Sequence, residues 1–438
     1  MNLRLSGMTL ALAIAGCSEA LDEGGHSPPM TGTASAQPKV ERALTGSIAN
    51  TEFAALVQTS VAQSPNLAAG IASIQASKTR IESERGYLRP QLNAETSLTS
   101  GGDAVPLMRL SQIIYDGGKV SGRVDLRRIE ARQVWLTELS EISARSFAAV
   151  EAIINLSRSR RLETQAMRNL QKTQDLVDNL QTRFDAGAGS VADLLSGQGR
   201  QSNAETELAQ TRSDVAYAIA SWVEIFGSRP SAIPAIPAAP RLTGATVQDM
   251  VARSPRLRSQ TELSEVRQQE VVVTERSILP TLSAILETDF DQGTIDNGAQ
   301  ARLGVNVPIY KGGVIRSNVE TARAALDQSR ADEEVLRREL LRSLEQALEE
   351  TRSIQGRLAS ARHAVGINSE ALEAARGQFV VRRGTFLQIL DSLRELNTAE
   401  VRVIRLEAQE RRAQYAILAV TGDILNALGI VQPVDPTL

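Results

Sequence analysis

Apolar and small residues at Ile315, Val319, Ala322, Leu326, Leu336, Leu340, Ala347, Ile354, Leu358, Ala361, Val365, Leu372, Ala375 and Phe379 fall on an alternating three/four ladder. That is the period of a coiled-coil seam, and it predicts a single helix over about 314–380. About Val120–Phe184 predicts a second helix of the same length. At ~1.5 Å per residue, roughly 65 residues make a rod near 100 Å, which no compact globule of this size accommodates. Shorter helical stretches, about Thr51–Gly86 and Val191–Phe226, together match the first rod and are expected to stack end to end beside it. About Thr246–Ser277 and Thr385–Leu428 stand in the same relation to the second.

Between these stretches the period drops to two. In Gln91–Leu98, Leu92, Ala94, Thr96 and Leu98 alternate with Gln91, Asn93, Glu95 and Ser97. Ala299–Ile309 alternates cleanly, and Thr281–Phe290 does so apart from Ile285. Val105–Ile114 alternates poorly and is assigned as a strand by analogy between the two halves of the chain. Four strands result, at about 90–100, 104–114, 280–290 and 299–309. Segments of ~10 residues with one apolar and one polar face suit a membrane-spanning barrel. They also suit a soluble sandwich with one wet face. Four strands cannot close a barrel, so the membrane reading requires oligomerisation: three chains supply twelve strands and a lumen, two supply eight and almost none.

The two halves are copies of one pattern. Ser64-Pro65 recurs as Ser254-Pro255, and Leu88-Arg89-Pro90 as Ile278-Leu279-Pro280, at an offset of 190. Tyr115-Asp116-Gly117-Gly118 recurs as Tyr310-Lys311-Gly312-Gly313, and Phe184 as Phe379, at an offset of 195. Gly189-Ser190 then matches Gly384-Thr385, and Leu194-Leu195 matches Ile389-Leu390. Each half reads helix, two strands, long helix, sharp turn, helix. The expected organisation is a first repeat at 46–229, a proline-rich linker at 230–240, a second repeat at 241–430 and a tail at 431–438.

Composition narrows the function. Of 438 residues only 3% are aromatic, 23% are charged, and the net charge is −3. Near-neutrality without a basic, aromatic stripe argues against a nucleic-acid partner. One cysteine excludes a disulfide or a cysteine-based zinc site within the chain. No nucleotide loop or nucleophile–base pair is visible, so no enzyme activity and no cofactor are expected. At the N-terminus, Arg4 and the apolar run Met8–Ala15 precede Cys17, the layout of a signal peptide over 1–16. Ile14-Ala15-Gly16-Cys17 resembles a bacterial lipobox, which makes Cys17 the lipidated first residue of the mature chain; the alternative is a buried cysteine. Residues 17–45, rich in Gly, Pro, Ser and Thr, read as a flexible leash.

A signal, a duplicated helix–hairpin–helix unit, Tyr-Asp-Gly-Gly after the second strand and Phe before a Gly-Ser turn together resemble the TolC-like outer-membrane efflux family over about residues 50–430. The resemblance implies a mainly α chain with duplicated long hairpins in an α-barrel, and four strands joining a twelve-stranded barrel in a homotrimer. It implies a place in the outer membrane of a Gram-negative bacterium, extending into the periplasm. The trimer would be the passive exit duct of a tripartite drug pump or a type I secretion machine. Its partners would be membrane lipid, a periplasmic adaptor and an inner-membrane pump, ABC-type or proton-driven. The family places its gate at the hairpin tips, so Asp391, Gln388 and Asp193 are candidates for the pore constriction. Asp391 also reads as a solvated carboxylate early in a helix. Gly187, Gly189, Ser190, Arg382, Arg383, Gly384 and Thr385 are candidates for adaptor contact. The competing class is a periplasmic coiled-coil adaptor or scaffold lipoprotein.

Overall fold

The computed structural model describes residues 48–98, 104–241, 245–291, 294–295, 299–381 and 383–436. The signal, the leash, Cys17, the Ser100–Asp103 loop and Arg382 lie outside them. The first repeat runs α1 (Glu52–Ala62), α2 (Pro65–Gly86), β1 (Gln91–Leu98), β2 (Ala104–Tyr115), α3 (Lys119–Asp185) and α4 (Val191–Phe226). The second runs α5 (Val247–Ala252), α6 (Pro255–Glu275), a 3-10 turn (Arg276–Ile278), β3 (Thr281–Asp291), β4 (Thr294–Ile295), β5 (Gln300–Asn306), α7 (Val314–Val380), α8 (Phe386–Thr421) and α9 (Asp423–Leu428).

Three expected helices are broken in two, each by a residue whose backbone forbids continuation. Pro65 and Pro255 open α2 and α6; the serines before them are pushed out of the helical region, with ψ of 125° and 122°. Gly422, at φ +78°, separates α8 from α9. An added Cβ there would sit 2.7 Å from Pro255, so close approach and positive φ both require glycine. The last expected strand is shorter than its alternation suggested: β5 stops at Asn306, and the Val307-Pro308 pair that follows leaves the ladder, since proline has no N–H to donate.

The long helices keep the predicted seam, every one of the fourteen ladder positions on α7 being buried or half-buried. Within each repeat the outer helices lie along the rod as expected: α2 and α4 pack on α3, and α6 and α8 on α7. Across the repeats, α3 also packs on α6 and α8. The sheet is antiparallel in the order β1–β2–β3–β5, with β4 a two-residue extension paired to β3. The repeats meet at β2–β3, where Arg109 pairs with Glu287. Both outer strands, β1 and β5, have one unpaired edge.

The main core sits part-way along the rods. Phe53 and Val57 of α1, Leu136, Ile142 and Ile153 of α3, Trp222, Tyr415 and Ile424, Leu425, Ala427 and Leu428 of α9 belong to one buried cluster. Each fully buried aliphatic or aromatic side chain there contributes about 1.5–3 kcal/mol of transfer free energy. Hydrogen bonds bind the irregular chain over this core: Trp135 Nε1 donates to Pro433 O (2.9 Å), Gln58 Nε2 to Leu428 O (2.6 Å) and the Tyr415 hydroxyl to Pro237 O (3.3 Å). Tyr217, unlike these aromatics, is 74% exposed. Helix α4 is covered only on the side that carries Val215, Ala218 and Trp222.

Candidate functional site

Two ends of the molecule carry the candidate chemistry. At the sheet end, the register places Leu92, Met108, Leu282, Leu286, Leu303 and Val305 on one face and Asn93, Glu95, Arg109, Ser283, Glu287 and Arg302 on the other. Leu92, Leu303 and Val305 are well exposed, so the apolar face is bare in the single chain. The opposite face carries a charge row that crosses all four strands: Glu95 to Arg109 (3.7 Å), Arg109 to Glu287 (2.5 Å), Glu287 to Arg302 (2.7 Å). The poor alternation of β2 has its cause here: Leu107, Ile113 and the polar Gln112 each fall on the face opposite to their kind, and a bulge interrupts the register at Ile113/Tyr115.

At the other end the two hairpin tips share one backbone clamp. Ala188 N donates to Arg183 O, and Arg383 N to Gln378 O, both at 2.8 Å and at equivalent positions of the repeat. A Cβ on Gly189 would come within 2.8 Å of Phe184 N; on Gly384 it would meet Gln378 Cβ at 3.1 Å. Gly187 is different, with φ +72° and open space around it. The next residues cap the returning helices. The Ser190 hydroxyl accepts from Ala192 N (3.2 Å). Thr385 and Gln388 form a reciprocal capping box: Thr385 Oγ1 accepts from Gln388 N (3.4 Å), and Gln388 Oε1 from Thr385 N (2.9 Å). Gln388 is thus held at the helix start. Asp193 is half-buried in the first turn of α4, where the helix dipole favours a carboxylate.

Asp391 has a partner that the sequence did not suggest. Its Oδ1 accepts from Arg200 of α4 at 3.0 Å, tying the first hairpin to the second. Beneath this pair Leu180, Leu194, Leu372, Phe386, Ile389 and Leu390 form a buried cluster shared by both tips. Arg183 lies over the Phe379 ring (4.6 Å), which meets Phe386 edge-on at 5.8 Å. Phe184 and Phe379 were legible as repeat markers; Arg183 and Arg200 carried no local signal, because their partners are on the other hairpin. Arg383 is exposed and Gly384 half-buried.

Between the two ends, polar pairs zip α3 to α8: Arg412 to Glu151, Arg161 to Glu407 (2.7 Å) and Gln165 to Glu400 (2.5 Å). Among the described residues there is no group of three metal-ligating side chains, and no helix is long and apolar enough to cross a membrane.

Residues 246–423 match the family model for outer membrane efflux proteins. Outer membrane efflux protein BepC of Brucella suis is 23% identical over 371 residues, 80% of this chain and 81% of that protein. Among solved structures, the outer membrane protein VceC of Vibrio cholerae superposes with a TM-score of 0.72 at 16% identity, over 87% of this chain and 97% of that one. The CmeC outer membrane channel of Campylobacter jejuni gives 0.73 at 14% identity, over 88% of each. The second repeat therefore carries the sequence pattern of the outer membrane efflux proteins, and the fold of most of the chain is similar to that of the solved outer membrane channels.

Proposed function

We propose that three copies of this chain form a passive exit duct, with a twelve-stranded barrel in the outer membrane continuing into a helical tunnel across the periplasm. The observation that carries this reading is the four-stranded sheet, apolar on one face, charged on the other and open at both edges. An isolated sheet of that kind exposes a lipid-seeking surface and two unpaired backbone rows. In a closed ring of copies the edges pair, the apolar face meets lipid and the charge row faces water. The relatives named as efflux proteins support export as the task. An adaptor and an inner-membrane pump supply cargo and energy, and Cys17 supplies a lipid anchor.

The tips are the gate in this reading. Asp391 lies at the constriction with Asp193 and Gln388, and three copies of its carboxylate shape the field that entering ions meet. Gly187, Gly189, Ser190, Arg382, Arg383, Gly384 and Thr385 are the residues offered to the adaptor. Opening separates α4 from α8 and breaks the Arg200–Asp391 pair. The test is extraction followed by reconstitution. The protein should need detergent, scatter light as a trimer and conduct ions in planar bilayers, and Asp391→Asn should alter cation conductance. A lipid-released, monodisperse monomer that gives no conductance would overturn the duct and favour an adaptor.

A further inference from the structure

Where the proline-rich linker crosses the helices, residues Ile233–Ile236 roof a cleft of about 530 Å³ walled by α3, α7 and α8. All of its walls come from one chain. Its charge is lopsided: Arg158, Arg160, Arg161, Arg362 and Arg411 line it, against Glu407 and Glu410. Glu407 is already shared, accepting from Arg161 at 2.7 Å and from Arg362 at 2.8 Å. Burial pushes this carboxyl up, but the two guanidinium groups outweigh it and hold Glu407 below the usual carboxylate range. Glu410 accepts from Gln355 (3.3 Å). Arg411 spends a donor on the Gln414 side chain (3.2 Å), and Arg160 has Glu163 only at 3.8 Å. Arg158 is half-buried and makes no polar contact in the described structure.

Three arginines of the cleft therefore lack a close carboxylate, and the two that share Glu407 keep unused N–H groups, since each guanidinium carries five. A half-enclosed cationic site of this kind gains most from an anion whose oxygens several planar guanidinium groups can grip together. We propose that the cleft is a binding site for a compact polyvalent oxyanion of the phosphate or pyrophosphate class, held by Arg158, Arg160 and Arg411. The Arg161–Glu407–Arg362 bridge holds the wall opposite. Because the site lies within one chain, it stands or falls independently of the trimeric duct.

Titration calorimetry of the full-length protein in detergent, with pyrophosphate and then phosphate, tests the assignment. One pyrophosphate per chain is expected, with phosphate weaker and both weakening as sodium chloride rises. Arg158→Gln and Arg411→Gln should each lower the pyrophosphate affinity at least tenfold. Arg316→Gln, on an exposed turn of α7 far from the cleft, should leave it unchanged and serves as the control for diffuse charge. Melting curves of the unliganded variants establish that they fold. No binding heat and no thermal shift at millimolar pyrophosphate would overturn the site, as would equal affinities for all three variants.

Discussion

The two 67-residue helices have the same length and the same place in their repeats, yet α3 buries 21 of its residues and α7 buries seven. Neighbours explain the gap. Helix α3 is flanked by α2 and α4 from its own repeat and by α6 and α8 from the other; α7 has α5, α6 and α8. The side chains have diverged to match. Where α3 carries Leu139, Ile142 and Val150, α7 carries Glu334, Arg337 and Glu345 at the equivalent positions. The entry turn differs likewise: Asp116 accepts from Gly118 N and Val120 N at the start of α3, while Lys311 stands at its position before α7. Duplication preserved the backbone and let the packing drift.

The strongest way to break this contrast is a charge on each rod. Ile153→Asp buries a carboxylate in the main core and should cost about 4–5 kcal/mol or more, read as loss of folded protein in a membrane fraction. Val335→Asp, on the exposed flank of α7, should leave the unfolding midpoint within about 0.5 kcal/mol of wild type. If both variants unfold alike, the two rods are not different in kind. A loss of trimer by Val335→Asp without loss of fold would place that residue in the seam.

The tips offer a finer comparison. Gly189→Ala drives a methyl onto backbone, whereas at Gly384 the nearest atom is a side-chain carbon slightly farther away. The first should cost about 1–3 kcal/mol and the second less, measured by thermal unfolding. Equal costs would show that the clamps are interchangeable. Weaker still is the bond between hairpins: Arg200→Ala should cost no more than about 1 kcal/mol, since the Arg200–Asp391 pair is part-exposed. Its consequence should appear in bilayer conductance far more than in stability.

The smallest effect concerns pH. Burial raises the carboxyls of Glu138 and Glu262 above their ordinary value, against the pull of Arg145 and Arg132. A raised carboxyl contributes stability that is complete below its unfolded pKa and is lost as pH rises through the folded one. The apparent melting temperature should therefore rise by about 1–2 °C between pH 7 and pH 5, and Glu262→Gln should flatten that rise. A rise unchanged in Glu262→Gln would assign it to other groups. These buried charges belong to the crowded rod and its partners, so the effect also separates α3 from α7.

Periodicity made most of the backbone readable, because a seam of fourteen positions and an alternating strand each repeat one local rule many times. The clamp glycines were legible from the internal match alone. What stayed hidden depends on partners distant in the chain. Pairing of β2 with β3, the Arg183–Phe379 stack and the Arg200–Asp391 bridge each join residues more than 150 positions apart, and no local pattern marks them. The breaks before Pro65 and Pro255 were written in the residues, yet an amphipathic pattern runs through them unaltered.

The Arg200–Asp391 bridge has a consequence for what an open and a shut entrance would discriminate. While each carboxylate is matched by a guanidinium from its own subunit, a ring of three such pairs presents dipoles and almost no net charge. In the proposed trimer, parting the helices would separate the Asp391 carboxylates from the Arg200 guanidinium groups as the aperture widens. Permeation and ionic preference would then switch together, with no separate filter required.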